Sequence, residues 1–166
     1  MNQAFNAHGT RLITASFDGT VKLWDLTLPH EVLTRSHPSG GWFYGVAFSP
    51  NGKWLVTTGA DQAAIVWDVV SGKDLITLTR HTDVFKGATF NADGTLLATS
   101  SAEKTVVVWD AFAGQVLYTY QDPLEVLKSA AFSPDENMLA IGSTDGLTTI
   151  LDADSGQVLR TLSDEQ

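Results

Sequence analysis

Four histidines and nineteen carboxylates are the side chains in this sequence that could hold a metal or move a proton. A metal site needs converging ligands, and no pair among His8, His30, His37 and His81 has the spacing that sets two imidazoles on one ion. No nucleophile elbow, H-E-x-x-H helix, P-loop or G-x-G-x-x-G turn occurs. The run DADSG (152–156) begins like a calcium loop but lacks the downstream glutamate that would close one, so a solvated turn is the reading. There is no cysteine, which excludes disulfides and thiolate chemistry and fits a reducing compartment. Neither a cofactor, a metal nor a catalytic residue is expected.

What recurs instead is tryptophan beside aspartate. Trp24-Asp25, Trp67-Asp68 and Trp109-Asp110 are followed by Leu151-Asp152, at intervals of 43, 42 and 42. Phe5, Phe48, Phe90 and Phe132 keep those intervals, and so do Asp18, Asp61, Glu103 and Asp145. Three markers in register through four copies define a repeat, and a repeat decides the fold before any single residue does.

Each copy reads as four strands. The first is short and ends at the phenylalanine (GVAF, 45–48; SAAF, 129–132). A turn of Pro, Asn, Asp and Gly follows (SPNGK, 49–53; NADGT, 91–95; SPDEN, 133–137), and these residues set turn dihedrals. The second strand is RLITAS (11–16) or KWLVTTG (53–59). Asp18-Gly19 and Asp145-Gly146 signal a tight hairpin into the third strand, which ends at the Trp-Asp pair. A turn at Gly72, Gly114 or Gly156 leads to the fourth strand, and Leu28-Pro29-His30 puts His30 in that turn of the first copy. Helical periodicity is absent.

The 166 residues suit one domain, and a composition 43% hydrophobic and 17% charged is globular. A net charge of −9 repels phosphate backbones, so nucleic acid is not an expected partner. No apolar run approaches the roughly 20 residues of a membrane span. The start, MNQAFNAHGTRL, lacks the basic and long apolar regions of a signal peptide, and a cytoplasmic location is expected.

Four-stranded units of this period ending in Trp-Asp resemble the WD40-repeat β-propeller family over essentially the whole chain. The resemblance implies an all-β fold of four consecutive four-stranded antiparallel blades, approximately 1–36, 37–80, 81–121 and 122–166, in a single repeat region. WDVVSGK (67–73), WDAFAGQ (109–115) and FSPNGKWL (48–55) look like bacterial WD repeats, which are often attached to signalling ATPases or kinases. Propellers have four to eight blades and this family most often seven, so four blades form an open arc. The chain starts inside a first strand and stops just after a fourth, at Leu162. A piece of a longer propeller is expected. Two copies closing an eight-bladed ring, or a ring completed by a different chain, are the alternatives.

The family's buried hydrogen-bonded group joins a histidine before the first strand, a hydroxyl on the second, the tryptophan and the turn acid. It carries over to His37, Thr57, Trp67 and Asp61 in the second copy. In the third it carries over to His81, Thr99 and Trp109, with Glu103 in place of aspartate. The first copy supplies Thr14, Trp24 and Asp18, and its histidine would precede Met1. In the fourth, Asp122 or Pro123, Ile141 and Leu151 fill the positions, an exchange of a polar network for apolar packing that keeps Asp145 for its turn. Orphaning one partner costs roughly 1–3 kcal/mol, so the group is expected to be kept whole or lost whole.

The resemblance also implies that partners, often peptides, bind one face of the propeller. Phe43, Phe85 and Leu127 should point inward along the first strands, and their neighbours Trp42, Tyr44, Val84, Lys86, Val126 and Lys128 outward. Before the turn acid stand Phe17, Ala60, Ala102 and Thr144. Phe17, Trp42 and Tyr44 beside Lys86 and Lys128 suggest a peptide or loop anchored on aromatics, with an acidic part on the lysines. The alternative is that Trp42 and Tyr44 fill the wide start of a blade and the lysines are solvated. The expected function is a non-catalytic interaction scaffold or sensor, with a self-assembling half-propeller or a regulatory region of a larger signalling enzyme as alternatives. An enzyme would need converging carboxylates or histidines on the first strands, which carry apolar and small residues instead.

Overall fold

The computed structural model describes residues 2–28, 30–37, 41–122 and 126–163. Among them, sixteen strands form four antiparallel sheets. The first holds β1 (Asn2–Phe5), β2 (Arg11–Ala15), β3 (Thr20–Asp25) and β4 (His30–Ser36). The second holds β5 (Phe43–Phe48), β6 (Trp54–Gly59), β7 (Ala64–Asp68) and β8 (Asp74–Leu78). The third holds β9 (Phe85–Phe90), β10 (Leu96–Ser101), β11 (Thr105–Asp110) and β12 (Val116–Gln121). The fourth holds β13 (Leu127–Phe132), β14 (Met138–Ser143), β15 (Thr148–Asp152) and β16 (Val158–Leu162). Strands neighbour one another in chain order within each sheet, and the third strand always ends at the aspartate after Trp or Leu. No helix among the described residues is long and apolar enough to cross a membrane.

The sheets are four propeller blades, stacked through their first strands: β1 packs on β5, β5 on β9 and β9 on β13. Each junction has its own core. Ile13, Val21 and Leu23 of the first blade meet Phe43, Leu55 and Trp67 of the second. Val56, Val66 and Leu78 then meet Phe85, Leu97 and Trp109, and Ala98, Val106 and Val108 meet Leu127, Ile141 and Leu151. Both faces of the second and third strands of the two middle blades are therefore buried, whereas the outer strands β8 and β12 stay largely exposed. The first and fourth blades each keep one face uncovered by any described residue.

Two local readings need correction. His30 is the first residue of β4 and not part of a turn, because its backbone pairs with Asp25. The first strands begin earlier than GVAF and SAAF suggest, at Phe43 and Leu127, because a bulge lets the chain join the ladder sooner.

The second-to-third-strand turn demands a left-handed residue in every blade. Gly19 (φ 79°) and Gly146 (φ 85°) supply it in the outer blades, and Gln62 (φ 62°) and Lys104 (φ 70°) in the middle ones. A side chain in that region is strained by about 1–2 kcal/mol. Gln62→Gly is therefore expected to raise stability by about 1 kcal/mol after glycine's larger loss of chain entropy, read as a higher urea midpoint at unchanged slope.

Candidate functional site

The polar network is complete in the third blade. Trp109 Nε1 donates to Thr99 Oγ1 at 2.9 Å, and Thr99 Oγ1 lies 2.9 Å from His81 Nε2. His81 Nδ1 is 2.7 Å from Glu103 Oε1. The directions follow from chemistry. An indole N–H only donates and a carboxylate only accepts, so the threonine proton goes to Nε2 and Nδ1 carries the ring proton. Two hydroxyls that the sequence did not single out complete the carboxylate's shell. Thr105 donates to Oε1 at 2.7 Å, and Thr82 donates to Oε2 through its hydroxyl and, at 2.8 Å, through its backbone N–H. Thr105 sits two residues after the acid, as Thr20 does after Asp18, where it donates to that carboxylate at 2.7 Å. The spacing acid-x-Thr was the available signal.

Burial depresses the His81 pKa below its ordinary 6.5, against the opposing pull of Glu103. Burial alone would raise the Glu103 carboxyl, but hydrogen bonds from Thr82, Thr105 and His81 outweigh it and hold the pKa down to about 2. The pair is thus a neutral imidazole donating to a carboxylate. Both folded values lie below the unfolded ones, so each group contributes stability at higher pH and loses it in acid. The His81 part is present above pH 6.5 and declines as pH falls below it; the Glu103 part declines between 4.5 and about 2. The urea midpoint is expected to fall through both windows, and Glu103→Gln to shrink the lower step, which other hydrogen-bonded carboxylates such as Asp18 and Asp145 share, while leaving the upper.

The second blade uses the same residues differently. Trp67 Nε1 donates to Thr57 Oγ1 at 3.0 Å, but His37 turns Nε2 towards Asp61 at 3.2 Å and accepts the Gly41 N–H on Nδ1 at 3.2 Å. Gly59 allows this, since a Cβ there would come within 2.1 Å of His37 Nε2. The third blade has Ser101 at that position, whose Cβ excludes the same ring placement. In the first blade Trp24 Nε1 donates to Thr14 at 3.1 Å, while Asp18 accepts from Thr20. In the fourth, Ile141 and Leu151 are buried in the junction core, and Asp145 holds its turn through Ser143 and the Leu147 N–H. Pro123 lies outside the described residues.

The outward row is built by a repeated bulge. Phe43 pairs with Gly59 and Gly45 with Thr58, leaving Tyr44 out of the ladder. Lys86 and Lys128 are left out in the same way between Phe85 and Gly87 and between Leu127 and Ser129. A bulge re-aims the side chain it frees, so three adjacent first strands present Tyr44, Lys86 and Lys128 at one end of the blades. Phe43, Phe85 and Leu127 are buried, as alternation predicts. Lys86 Nζ lies 5.4 Å from the centroid of the Tyr44 ring, a cation–π contact between two half-buried side chains worth about 0.5–2 kcal/mol. Beside it, Phe17 and Trp42 meet edge to face at 5.7 Å, and both stay more than half exposed, at 54% and 52%. Lys128 is exposed and takes part in no ion pair among the described residues. The structure thus joins Phe17 to Trp42 and Tyr44 to Lys86, with Lys128 as the row's solvated end. Among the described residues, no three His, Asp or Glu side chains are grouped to hold a metal.

Comparison with known proteins agrees with this architecture. The family described as "WD domain, G-beta repeat" matches residues 2–25, 30–68, 72–110 and 114–152. The chain is 44% identical over 70 residues to nuclear distribution protein nudF of Aspergillus niger, a match covering 42% of this chain and 16% of that protein. It is 33% identical over 73 residues to small ribosomal subunit protein RACK1 of Drosophila melanogaster, covering 44% of this chain and 22% of RACK1. A third match, 35% over 78 residues, is to protein tipD of Dictyostelium discoideum, covering 47% of this chain and 13% of tipD. The matched stretches span less than a quarter of these relatives. All three are eukaryotic, so the bacterial affinity suggested by WDVVSGK and its neighbours is not borne out. With four family matches that cover most of the chain, each ending at the third strand of one of the four antiparallel blades, the chain belongs to the WD40-repeat family.

Proposed function

We propose that this chain is a non-catalytic interaction scaffold whose bulge-built row captures a short peptide or loop. The observation that carries the reading is the Phe17–Trp42 pair standing half exposed beside Tyr44 and Lys86. Large aromatics flanked by cations, left open to water on a protein of net charge −9, are what a binding hot spot requires. The ligand they suit has an apolar or aromatic anchor followed by acidic residues, which would meet Lys86 and Lys128. WD40 relatives support a scaffold role. One of them, by its name, is a component of a small ribosomal subunit, a many-part assembly. A reducing, cytoplasmic setting suits a chain without cysteine.

The test is selection of a random peptide library on the immobilised chain. Enriched peptides should carry an aromatic or aliphatic residue next to Asp or Glu, with binding that weakens as salt rises. Enrichment of basic peptides, or none at all, would sink the reading.

A further inference from the structure

A cleft of about 310 Å³ lies against the third-blade network, where β9 and β11 begin and β12 ends. Arg80, Thr82, Glu103, Thr105, Thr119 and Gln121 form its polar walls, and buried Val107 adds an apolar patch. A second cavity of about 240 Å³, between β8 and the start of β12, shares Arg80 and brings in Trp109 and Val116. Both are built by the second and third blades alone.

Glu103 is the one carboxylate in these walls, and it is saturated. Its Oε1 takes His81 Nδ1–H and the Thr105 hydroxyl, and its Oε2 takes the hydroxyl and backbone N–H of Thr82. Those four bonds use the roughly four acceptor sites that a carboxylate has. Nothing on Glu103 is left for Arg80, which enters no ion pair among the described residues. The side chains of Thr119 and Gln121 likewise make no hydrogen bond among the described residues. A guanidinium, an amide and a hydroxyl thus line one cleft with their protons uncommitted. The second and fourth blades lack this arrangement. Ala63 and Leu147 stand two residues after their turn acids, where the third blade has Thr105, and those acids are the shorter aspartates.

We infer that this cleft binds a carboxylate side chain of a partner polypeptide, with Arg80 as the anchor and Thr119 and Gln121 as flanking donors. The planar guanidinium matches a carboxylate through two parallel hydrogen bonds. Glu103 keeps its negative charge in the same cleft, so a phosphate dianion would meet about twice the repulsion that a carboxylate meets. Val107, and across the shared wall Trp109 and Val116, offer apolar contact to the methylenes of a glutamate. This attachment point is separate from Lys86 and Lys128, and it holds whether or not the aromatic row captures a peptide.

The test is an NMR titration of the whole chain with N-acetyl-glutamate α-amide, read at the Gln121 side-chain amide and the Arg80 Nε–H. Saturable shifts at both are expected, with a dissociation constant in roughly the millimolar range. Arg80→Gln is expected to weaken binding at least about tenfold, and Arg80→Lys to recover part of it, because the charge returns without the fork. Arg80 is exposed, so unchanged signals elsewhere will show that both variants are folded. The capped glutamine analogue, similar in shape but uncharged, should give no saturable shift. Trp42→Ala combined with Tyr44→Ala should leave the titration unchanged, which separates this site from the aromatic row. Capped phosphoserine and free acetate should each bind more weakly than capped glutamate. Tighter binding of phosphoserine would give the cleft to phosphate, and equal binding of acetate would give it to free acids; either overturns the inference. A glutamate titration that does not saturate, or one that Arg80→Gln leaves intact, overturns it as well.

Discussion

Replacing Thr99 by valine is expected to lower stability by about 3 kcal/mol, because it orphans two buried groups at roughly 1–3 kcal/mol each. Thr99 is 0% exposed and its hydroxyl is the hinge of the third-blade network, accepting from Trp109 and donating to His81. Valine has the same shape, so no cavity or clash confuses the result. Neither the indole N–H nor His81 Nε2 gains a new partner inside the junction core. The converse change, Ile141→Thr, is also expected to destabilise, since Leu151 offers no N–H and the equivalent site sits in an apolar cluster. One hydroxyl thus stabilises at 99 and destabilises at 141, although the two positions are equivalent in the repeat. Urea unfolding followed by tryptophan fluorescence measures both. A loss below about 1 kcal/mol at Thr99→Val would show that the network is not the favourable unit its geometry describes.

The parts of this architecture that were legible in the sequence are those fixed by periodicity. The 43- and 42-residue intervals place Trp24, Trp67, Trp109 and Leu151 at the ends of third strands, and alternation places Phe43, Phe85 and Leu127 inside. What escaped depends on single local contacts. The reversed ring of His37 follows from Gly59, which has no Cβ to oppose it, and from an N–H four residues on, at Gly41. The shell of Glu103 follows from one extra methylene relative to aspartate, which lets the carboxylate reach Thr82 as well as Thr105. The bulges that free Tyr44, Lys86 and Lys128 leave no signature in residue type, because a tyrosine and two lysines occupy the same irregular position. Alternation could not show that Lys86 lies on the Tyr44 ring or that Lys128 stands apart.

The second large effect is expected on binding. Trp42→Ala combined with Tyr44→Ala should weaken capture of selected acidic–aromatic peptides by at least about 30-fold, the loss of one strong hot spot. Trp42 is 52% exposed and precedes β5, so its truncation removes no core contact, and the melting temperature should stay near wild type. Tyr44 is half-buried, and its loss also releases Lys86 from the ring. Lys86→Gln and Lys128→Gln separate that contribution. If the lysines meet acidic residues, the pair should flatten the salt dependence of binding and slow association, leaving most of the affinity with the aromatics. If Trp42 and Tyr44 only fill the start of a blade, the double alanine variant would instead lose stability and keep its affinity per folded molecule. Measuring unfolding and peptide binding on the same preparation distinguishes these outcomes, because one places the energy of the aromatics within the fold and the other at its surface.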